Sequence, residues 1–352
     1  MSDTVSRRTE EGRASLGLRL TSRSRVLVLG GYGVRNVGDE AILAGLLNQL
    51  GSVRAVTVVS RGPAETTAMH GVRAVSPAGA LAALLRCDAL LVGGGGMFSS
   101  DTGPFGRFIP LFCRLAMLRG IPVALHGVGV YASTPAHLLK SLASLAPRLA
   151  SFTVRDAASA RLLESIGVTA QQIADLSQSM APAGRSEARA VLTAARLDLE
   201  RPIVGLCPTE INARVAAYIE TAVPALCRAL PEVQFCVIPI SQHQTNPRHD
   251  DAAFGHRLQE STPSLKVLEG VYHPAVVLAV FGELSAAVCV RYHSHLFAER
   301  AGVPVISIPY SEKCYGWLEE TGVTGIDCEG DSLEKAVVEA LDRSRRGVGA
   351  VA

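Results

Sequence analysis

The chain has 352 residues, with 34 Lys+Arg against 32 Asp+Glu, a formal net charge of +2 and 48% hydrophobic residues. This composition is globular, not disordered, and the length suggests about two domains of roughly 150 residues each. A balance of +2 gives no argument for nucleic-acid binding or wholesale anionic-membrane binding. The first 23 residues carry Arg7, Arg8, Arg13, Arg19 and Arg23 among serines, with no apolar core of a secretory signal, and read as a disordered tail. Short apolar runs then alternate with helical patterns. Arg25–Gly30 (RVLVLG) reads as a buried strand, followed by a glycine turn and a helix from about Asp39 to Leu50. Strands follow at Ala55–Ser60 and at Asp88–Val92, the latter ending in Gly93–Gly96. A helix around Pro110–Arg119, the strand Pro122–His126, a helix near Ala136–Ala146, the strand Phe152–Val154 and a helix at Ala157–Ile166 complete a first half.

Leu176–Ser186 (LSQSMAPAGRS) interrupts the rhythm and marks a domain boundary. The pattern restarts with strands at Ile203–Cys207, Gln234–Ile238, Lys266–Leu268, Ala287–Val290 and Val305–Ile308, with helices between them and a last helix at about Ser332–Leu341. Strands alternating with helices give an α/β class with doubly wound parallel sheets. The expected division is a tail over 1–23, a Rossmann-like domain over 24–182 and a second over 183–345. Two such domains facing one another make a cleft, and ligands of these sheets sit beyond the carboxyl ends of the strands. No apolar stretch reaches the ~20 residues that span a bilayer. The chain is therefore expected to be soluble and cytoplasmic, with a peripheral association at the inner face of the membrane left open. None of the eight cysteines forms a CxxC, and no motif has metal-ligand spacing, so reduced buried thiols and no metal are expected.

The first strand exits into Gly30-Gly31-Tyr32-Gly33-Val34-Arg35-Asn36-Val37-Gly38-Asp39-Glu40. The spacing is GxGxxN, which is neither the dinucleotide fingerprint nor a Walker A loop. Asp39 reads either as a helix N-cap or, with Asn36 and Glu40, as a ligand contact. Four glycines at Gly93–Gly96, including Gly94 and Gly95, point to close backbone approach to a ligand or to tight packing, with Asp101 soon after. His126 reads as a core histidine. Arg155 ends the strand Phe152–Val154, placed either to clamp a carboxylate or phosphate or to pair with Asp156 or a neighbour. Arg291-Tyr292-His293-Ser294-His295 and Pro309-Tyr310-Ser311-Glu312-Lys313 end two later strands. Adjacent parallel strands would bring Lys313 near His293, so Arg155, Arg291, His293 and Lys313 make a candidate anion pocket. Trp317 reads as packing a helix, and His243, His249, Asp250 and Asp251 as a polar loop.

With these residues in place the chain resembles the polysaccharide pyruvyl transferases. The resemblance rests on GYGVRNVGDEAIL (31–43), DALLVGGGGMFSSD (88–101), TVRD (153–156) with Ser159, Ala174-Asp175, and above all RYHSHLFAERAGVPVISIPYSEK (291–313). It implies a GT-B-like fold of two Rossmann-like domains. It also implies transfer of pyruvate from phosphoenolpyruvate onto a sugar of a cell-envelope or exported polysaccharide, or of its lipid-linked precursor. The product is a ketal, phosphate is released, and no cofactor beyond the donor substrate is expected. The family's anion-binding positions fall on Arg155, Arg291, His293 and Lys313, with Gly94 and Gly95 beside the donor. His293 is then the expected general acid, and Asp39, Glu40 or Glu210 the base or the group that orients the sugar, while Asn36, Asp101 and Glu210 are expected on the acceptor side. One departure stands out. Where members often carry an arginine, an acid and a tryptophan, this chain has Cys207-Pro208-Thr209-Glu210-Ile211, which keeps the acid and lacks the aromatic. The alternatives are a GT-B nucleotide-sugar glycosyltransferase and a non-catalytic member that binds a glycan or phosphorylated metabolite.

Overall fold

The computed structural model describes residues 2–98 and 103–347. The chain divides into two compact units: residues 1–34 with 39–181, and residues 35–38 with 182–352. In the first unit seven parallel strands run in the order β3-β2-β1-β4-β5-β6-β7. They are β1 (Arg25–Leu29), β2 (Ala55–Val59), β3 (Arg73–Val75), β4 (Ala89–Phe98), β5 (Val123–Val130), β6 (Ser151–Val154) and β7 (Gln171–Gln172). The helices are α1 (Ser2–Ser15), α2 (Val37–Leu50), α3 (Pro63–His70), α4 (Ala80–Leu84), α5 (Gly103–Leu118), α6 (Ala136–Leu145) and α7 (Ala157–Ser165).

Both faces of this sheet are covered, so its strands read as continuous apolar runs. Along β1 the side chains alternate between two cores. Leu27 and Leu29 pack with Leu84, Ile109, Cys113, Leu142 and Leu163 from α4 to α7. Val26 and Val28 pack on the other face with Ile42, Leu46 and Leu50 of α2.

Residues 2–15, expected as disordered, form a helix. Arg7 pairs with Glu11 one turn on, at 2.9 Å. Leu16 buries in the α2-side core, where the Ser151 hydroxyl donates to its carbonyl at 2.7 Å. Buried Leu16, the close approach of Gly12 to Gln49 and a long-range hydrogen bond anchor this segment, and none of them leaves an apolar period in the sequence.

The second difference concerns the glycine run. It does not follow β4 but lies inside it, and pairing with β5 continues from Gly93↔His126 to Phe98↔Val130 with a register shift after Gly95. Gly94 and Gly95 take φ of +46° and +80°, which L side chains rarely adopt. The glycines thus let the strand bulge without ending it.

The second unit holds five parallel strands in the order β10-β9-β8-β11-β12. These are β8 (Ile203–Cys207), β9 (Gln234–Val237), β10 (Lys266–Val267), β11 (Ala286–Cys289) and β12 (Val305–Ser307). Around them lie α8 (Arg185–Ala194), α9 (Ala213–Ala229), α10 (Asp251–Ser261), α11 (Pro274–Phe281), α12 (Tyr292–Ala301), α13 (Glu312–Thr321) and α14 (Leu333–Arg345). Residues 35–38 group here for a local reason. Val37 N–H donates to Ile240 O at 2.8 Å, Gln242 N–H donates to Arg35 O at 2.9 Å, and Asn36 bridges Ser241.

Strand order reverses between β1 and β4 in the first unit and between β8 and β11 in the second. Such switch points are where open α/β sheets leave room for ligands. Six of the eight cysteines are buried and all eight are free thiols. Burial pushes Cys113, Cys236 and Cys289 up to about 12, which keeps them protonated and unreactive.

Candidate active site

In the first unit the turn after β1 and the bulge of β4 meet at the switch point. Buried Tyr32 donates its hydroxyl to Gly93 O at 3.0 Å. Burial, reinforced by Asp39 and Glu40, holds that phenol well above its ordinary value, so it stays a donor. Glu40 is engaged twice: Oε1 accepts the Gly33 amide at 2.8 Å and Oε2 pairs with His70 Nε2 at 2.7 Å. Those contacts shape the glycine turn. Asp39, one residue earlier and only half-buried, lies against two bare glycines. A Cβ at Gly31 would stand 3.4 Å from its Oδ2, and one at Gly95 would stand 3.4 Å from its Oδ1. A Cβ at Gly96 would stand 3.8 Å from Arg155 Nη2. The bulge therefore presents Asp39 on one glycine and Arg155 on the next.

Arg155 realises the salt-bridge alternative. Its side chain is 1% exposed, with Asp156 Oδ2 3.5 Å from Nε and Asp175 Oδ2 3.3 Å from Nη1. The Tyr131 hydroxyl accepts from Arg155 and donates to Asp156 Oδ2 at 3.0 Å. Both carboxylates are fixed in turn, since Asp156 caps α7 by accepting Ser159 N–H and Asp175 accepts Ser177 N–H. His126 is a satisfied core histidine. It donates from Nε2 to Gln49 at 2.8 Å and accepts from Thr153 Oγ1 on Nδ1, and burial lowers its pKa to about 4.

In the second unit, Arg291 follows β11 as the N-cap residue of α12. Its guanidinium grips Asp251 through two bonds, Nε–Oδ2 at 2.6 Å and Nη2–Oδ1 at 2.7 Å. Asp251 also accepts the amides of Ile240 and Ser241, at 3.2 and 2.8 Å. This fully buried carboxylate ties β11, α10 and the loop after β9 together. Burial pushes its pKa up, while Arg291 and the amides pull it down.

His293 sits in the first turn of α12 and is 8% exposed. The α-carbon of Gly38 lies directly against its Nδ1, with no room for a Cβ. Asn36 holds that approach by accepting the Gly38 amide on Oδ1 at 2.9 Å. Gly38→Ala is therefore expected to push the imidazole from its place. Thermal stability should fall by what an overpacked site costs, about 1–3 kcal/mol, while any reaction that uses His293 should slow by about tenfold or more. An unaltered rate would show that the close approach does not position the ring.

His295 faces inward. It donates from Nδ1 to Arg291 O at 2.9 Å, accepts from Ser307 Oγ on Nε2, and packs at a tilt of 53° against Trp317, 4.9 Å between ring centres. Burial lowers its pKa to about 4. Trp317 packs between helices as expected and donates to Glu299 at 2.8 Å. Lys313 is half-exposed in the first turn of α13. The pairing of β11 with β12 puts the first turns of α12 and α13 after neighbouring strands. Glu210, just past β8, pairs with Arg257 at 2.5 Å.

Of the expected residues, the first unit holds Asp39, Glu40, Gly94, Gly95 and Arg155; the second holds Asn36, Glu210, Arg291, His293 and Lys313. Asp101 lies outside the described residues. Three contributors were not singled out from sequence. Gly38 carries no signal beyond its motif, and Tyr131 lies in no motif. Asp251 was read as part of a polar loop, yet it is the buried partner of Arg291, and an acid opening a helix forty residues upstream gives no hint of that. No group of three or more His, Cys, Asp or Glu able to hold a metal ion occurs among the described residues.

The sequence model described as polysaccharide pyruvyl transferase matches residues 36–312. The chain belongs to the polysaccharide pyruvyl transferase family. No curated protein matches it. Among solved structures, it is similar to the Neisseria meningitidis UDP-GlcNAc 2-epimerase bound to UDP-GlcNAc, with a TM-score of 0.56, 12% identity, and 93% and 95% of the two chains covered. Anabaena HepE in complex with UDP and glucose gives 0.59, 12%, 93% and 92%. A glycosyltransferase of Glycyrrhiza uralensis, UGT73P12, gives 0.55, 9%, 93% and 90%. At these identities the likeness speaks for the fold alone. That fold is GT-B, as the two parallel sheets and the family resemblance led one to expect.

Proposed function

We propose that this member of the pyruvyl transferase family moves pyruvate from phosphoenolpyruvate onto a sugar of a cell-envelope or exported polysaccharide, or onto its lipid-linked precursor. The family match across residues 36–312 carries the reading. The placement of His293, buried in the first turn of α12 at the carboxyl end of β11, supports it chemically.

The reaction begins by protonating C3 of the enol, which makes C2 electrophilic. His293 is assigned as that acid, since an imidazole's ordinary pKa lies near working pH. A sugar hydroxyl then adds to C2 and loses its proton. Of the three carboxylates expected as base, Asp39 is half-exposed, whereas Glu40 is held by Gly33 and His70 and Glu210 pairs with Arg257. A second hydroxyl displaces phosphate from C2, its proton leaving with the phosphate, and the ketal closes. Lys313, half-exposed in the first turn of α13, is the cation assigned to the departing phosphate. Arg291 is assigned to the donor side, oriented by Asp251.

The test is phosphate release from phosphoenolpyruvate with a panel of model and lipid-linked glycosides. Release that requires both donor and acceptor, with a ketal in the product, is the expected result. Glycosyl transfer from a UDP- or GDP-sugar without phosphate release from phosphoenolpyruvate would replace this reading. So would tight binding of glycan with no turnover of any donor.

A further inference from the structure

The near-neutral total charge hides an uneven distribution. No Asp or Glu occurs anywhere from residue 102 to residue 155. That stretch holds α5 and α6, and α4, which packs into the same apolar core on the same face of the first sheet, has no acid either. Arg86, Arg107, Arg114, Arg119, Lys140 and Arg148 are all exposed around this layer.

The same layer holds the exposed apolar side chains. Eight large hydrophobic residues stand exposed among the described residues, and five of them are here: Leu81 at 50%, Leu85 at 49%, Phe108 at 53%, Leu111 at 48% and Leu118 at 78%. On α5, Arg107, Leu111, Arg114 and Leu118 follow one another at helical spacing along one strip, with Phe108 beside it. The opposite side of α5 packs Ile109, Cys113 and Ala116 into the core. Next to Phe108 opens a cavity of about 200 Å³ whose lining is entirely apolar: Leu29, Val59, Pro77, Ala80, Ile109 and Phe112 complete it.

We propose that the exposed face of α4 and α5 is a docking surface for an anionic lipid bilayer, with Phe108, Leu111 and Leu118 entering the headgroup boundary and the arginines meeting lipid phosphates. The pattern of a helix whose solvent face is apolar and basic, without acids, is that of helices that lie in a membrane interface. Charge selects the partner: α4, α5 and α6 carry no carboxylate, and the only exposed acid among the described residues of the helices on this face is Glu164 of α7, so the arginine-rich face of α4 and α5 favours anionic over neutral lipid. No helix of the described residues is long and apolar enough to cross a membrane, so this is contact with the surface and not insertion across it. The proposal stands on this face alone and needs no particular donor or acceptor.

The test is co-sedimentation of the full chain with vesicles of phosphatidylcholine, with and without phosphatidylglycerol. Binding is expected only with the anionic lipid, and it should weaken as salt is raised. Two variants carry the decision: Phe108→Ser with Leu111→Ser and Leu118→Ser, and Arg107→Glu with Arg114→Glu and Arg119→Glu. Each should lose about tenfold or more in vesicle binding at unchanged thermal stability, because the altered side chains are exposed. No vesicle binding by the parent chain, equal binding to neutral vesicles, or full binding by both variants would overturn the proposal. A parent dimer that the serine variant splits into monomers would overturn it too, by assigning the face to a second copy. None of these readouts needs turnover, so the fate of this surface and that of the proposed reaction are decided separately.

Discussion

Alanine in place of His293 is expected to lower phosphate release from phosphoenolpyruvate by about 10²–10⁴-fold, the range over which a positioned general acid acts. The imidazole sits in the first turn of a helix, is 8% exposed, and is seated against the bare α-carbon of Gly38. On the proposed reaction, removing it takes away the proton that C3 of the enol needs and leaves the arginine and lysine contacts to the donor in place. The loss should therefore appear in kcat more than in KM. His293→Gln, which keeps the volume and a hydrogen-bonding group but has no acid near neutral pH, should be nearly as slow. Turnover within a few fold of the parent in both variants, with thermal unfolding unchanged, would remove His293 from the mechanism.

The second large effect concerns stability. Asp251→Ala leaves the Arg291 guanidinium buried without its carboxylate, and the amides of Ile240 and Ser241 without their acceptor. Breaking a buried pair from one side costs about 3–5 kcal/mol, a large part of the stability of a typical domain. Urea unfolding should show it as a lower midpoint. Replacing Arg291 by Met in the same chain should recover part of the loss, since the uncompensated charge goes with it. A single-variant cost under about 1 kcal/mol would mean that water reaches the pair and that Asp251 does not hold Arg291.

Much of the fold was legible because it is local. Runs such as Arg25–Leu29 and Ile203–Cys207 are apolar throughout, as strands covered on both faces must be, and the helices between them repeat at their own period. The glycine run was legible as a place of close approach but not as the interior of a strand. Whether Gly94 and Gly95 end β4 or bulge it depends on β5 continuing alongside, and β5 lies outside the motif. The helix at residues 2–15 was missed for a related reason. Its anchors are Leu16, the close approach of Gly12 to Gln49 and a bond to Ser151, 135 positions away from Leu16.

The candidate site divides the same way. That Arg155, Arg291, His293 and Lys313 follow strand ends could be read from the order of apolar runs and polar turns. The state of each group could not. Arg155 is held by Asp175, twenty positions on, and Arg291 by Asp251, forty positions back. These separations carry no periodic signal, and only the folded chain makes the residues neighbours.

The sequence by itself determined the class of fold, the family and the residues to suspect, because strand and helix periods and motif order are properties of neighbours along the chain. The tertiary structure alone decided which carboxylates hold the arginines, that Gly38 seats His293, and where the charge lies. Net charge is a sum that keeps no record of position. A total of +2 is the same whether acids and bases are mixed or separated, and only the packing of α4, α5 and α6 on one face of the sheet gathers the unmatched arginines and exposed apolar side chains into a surface.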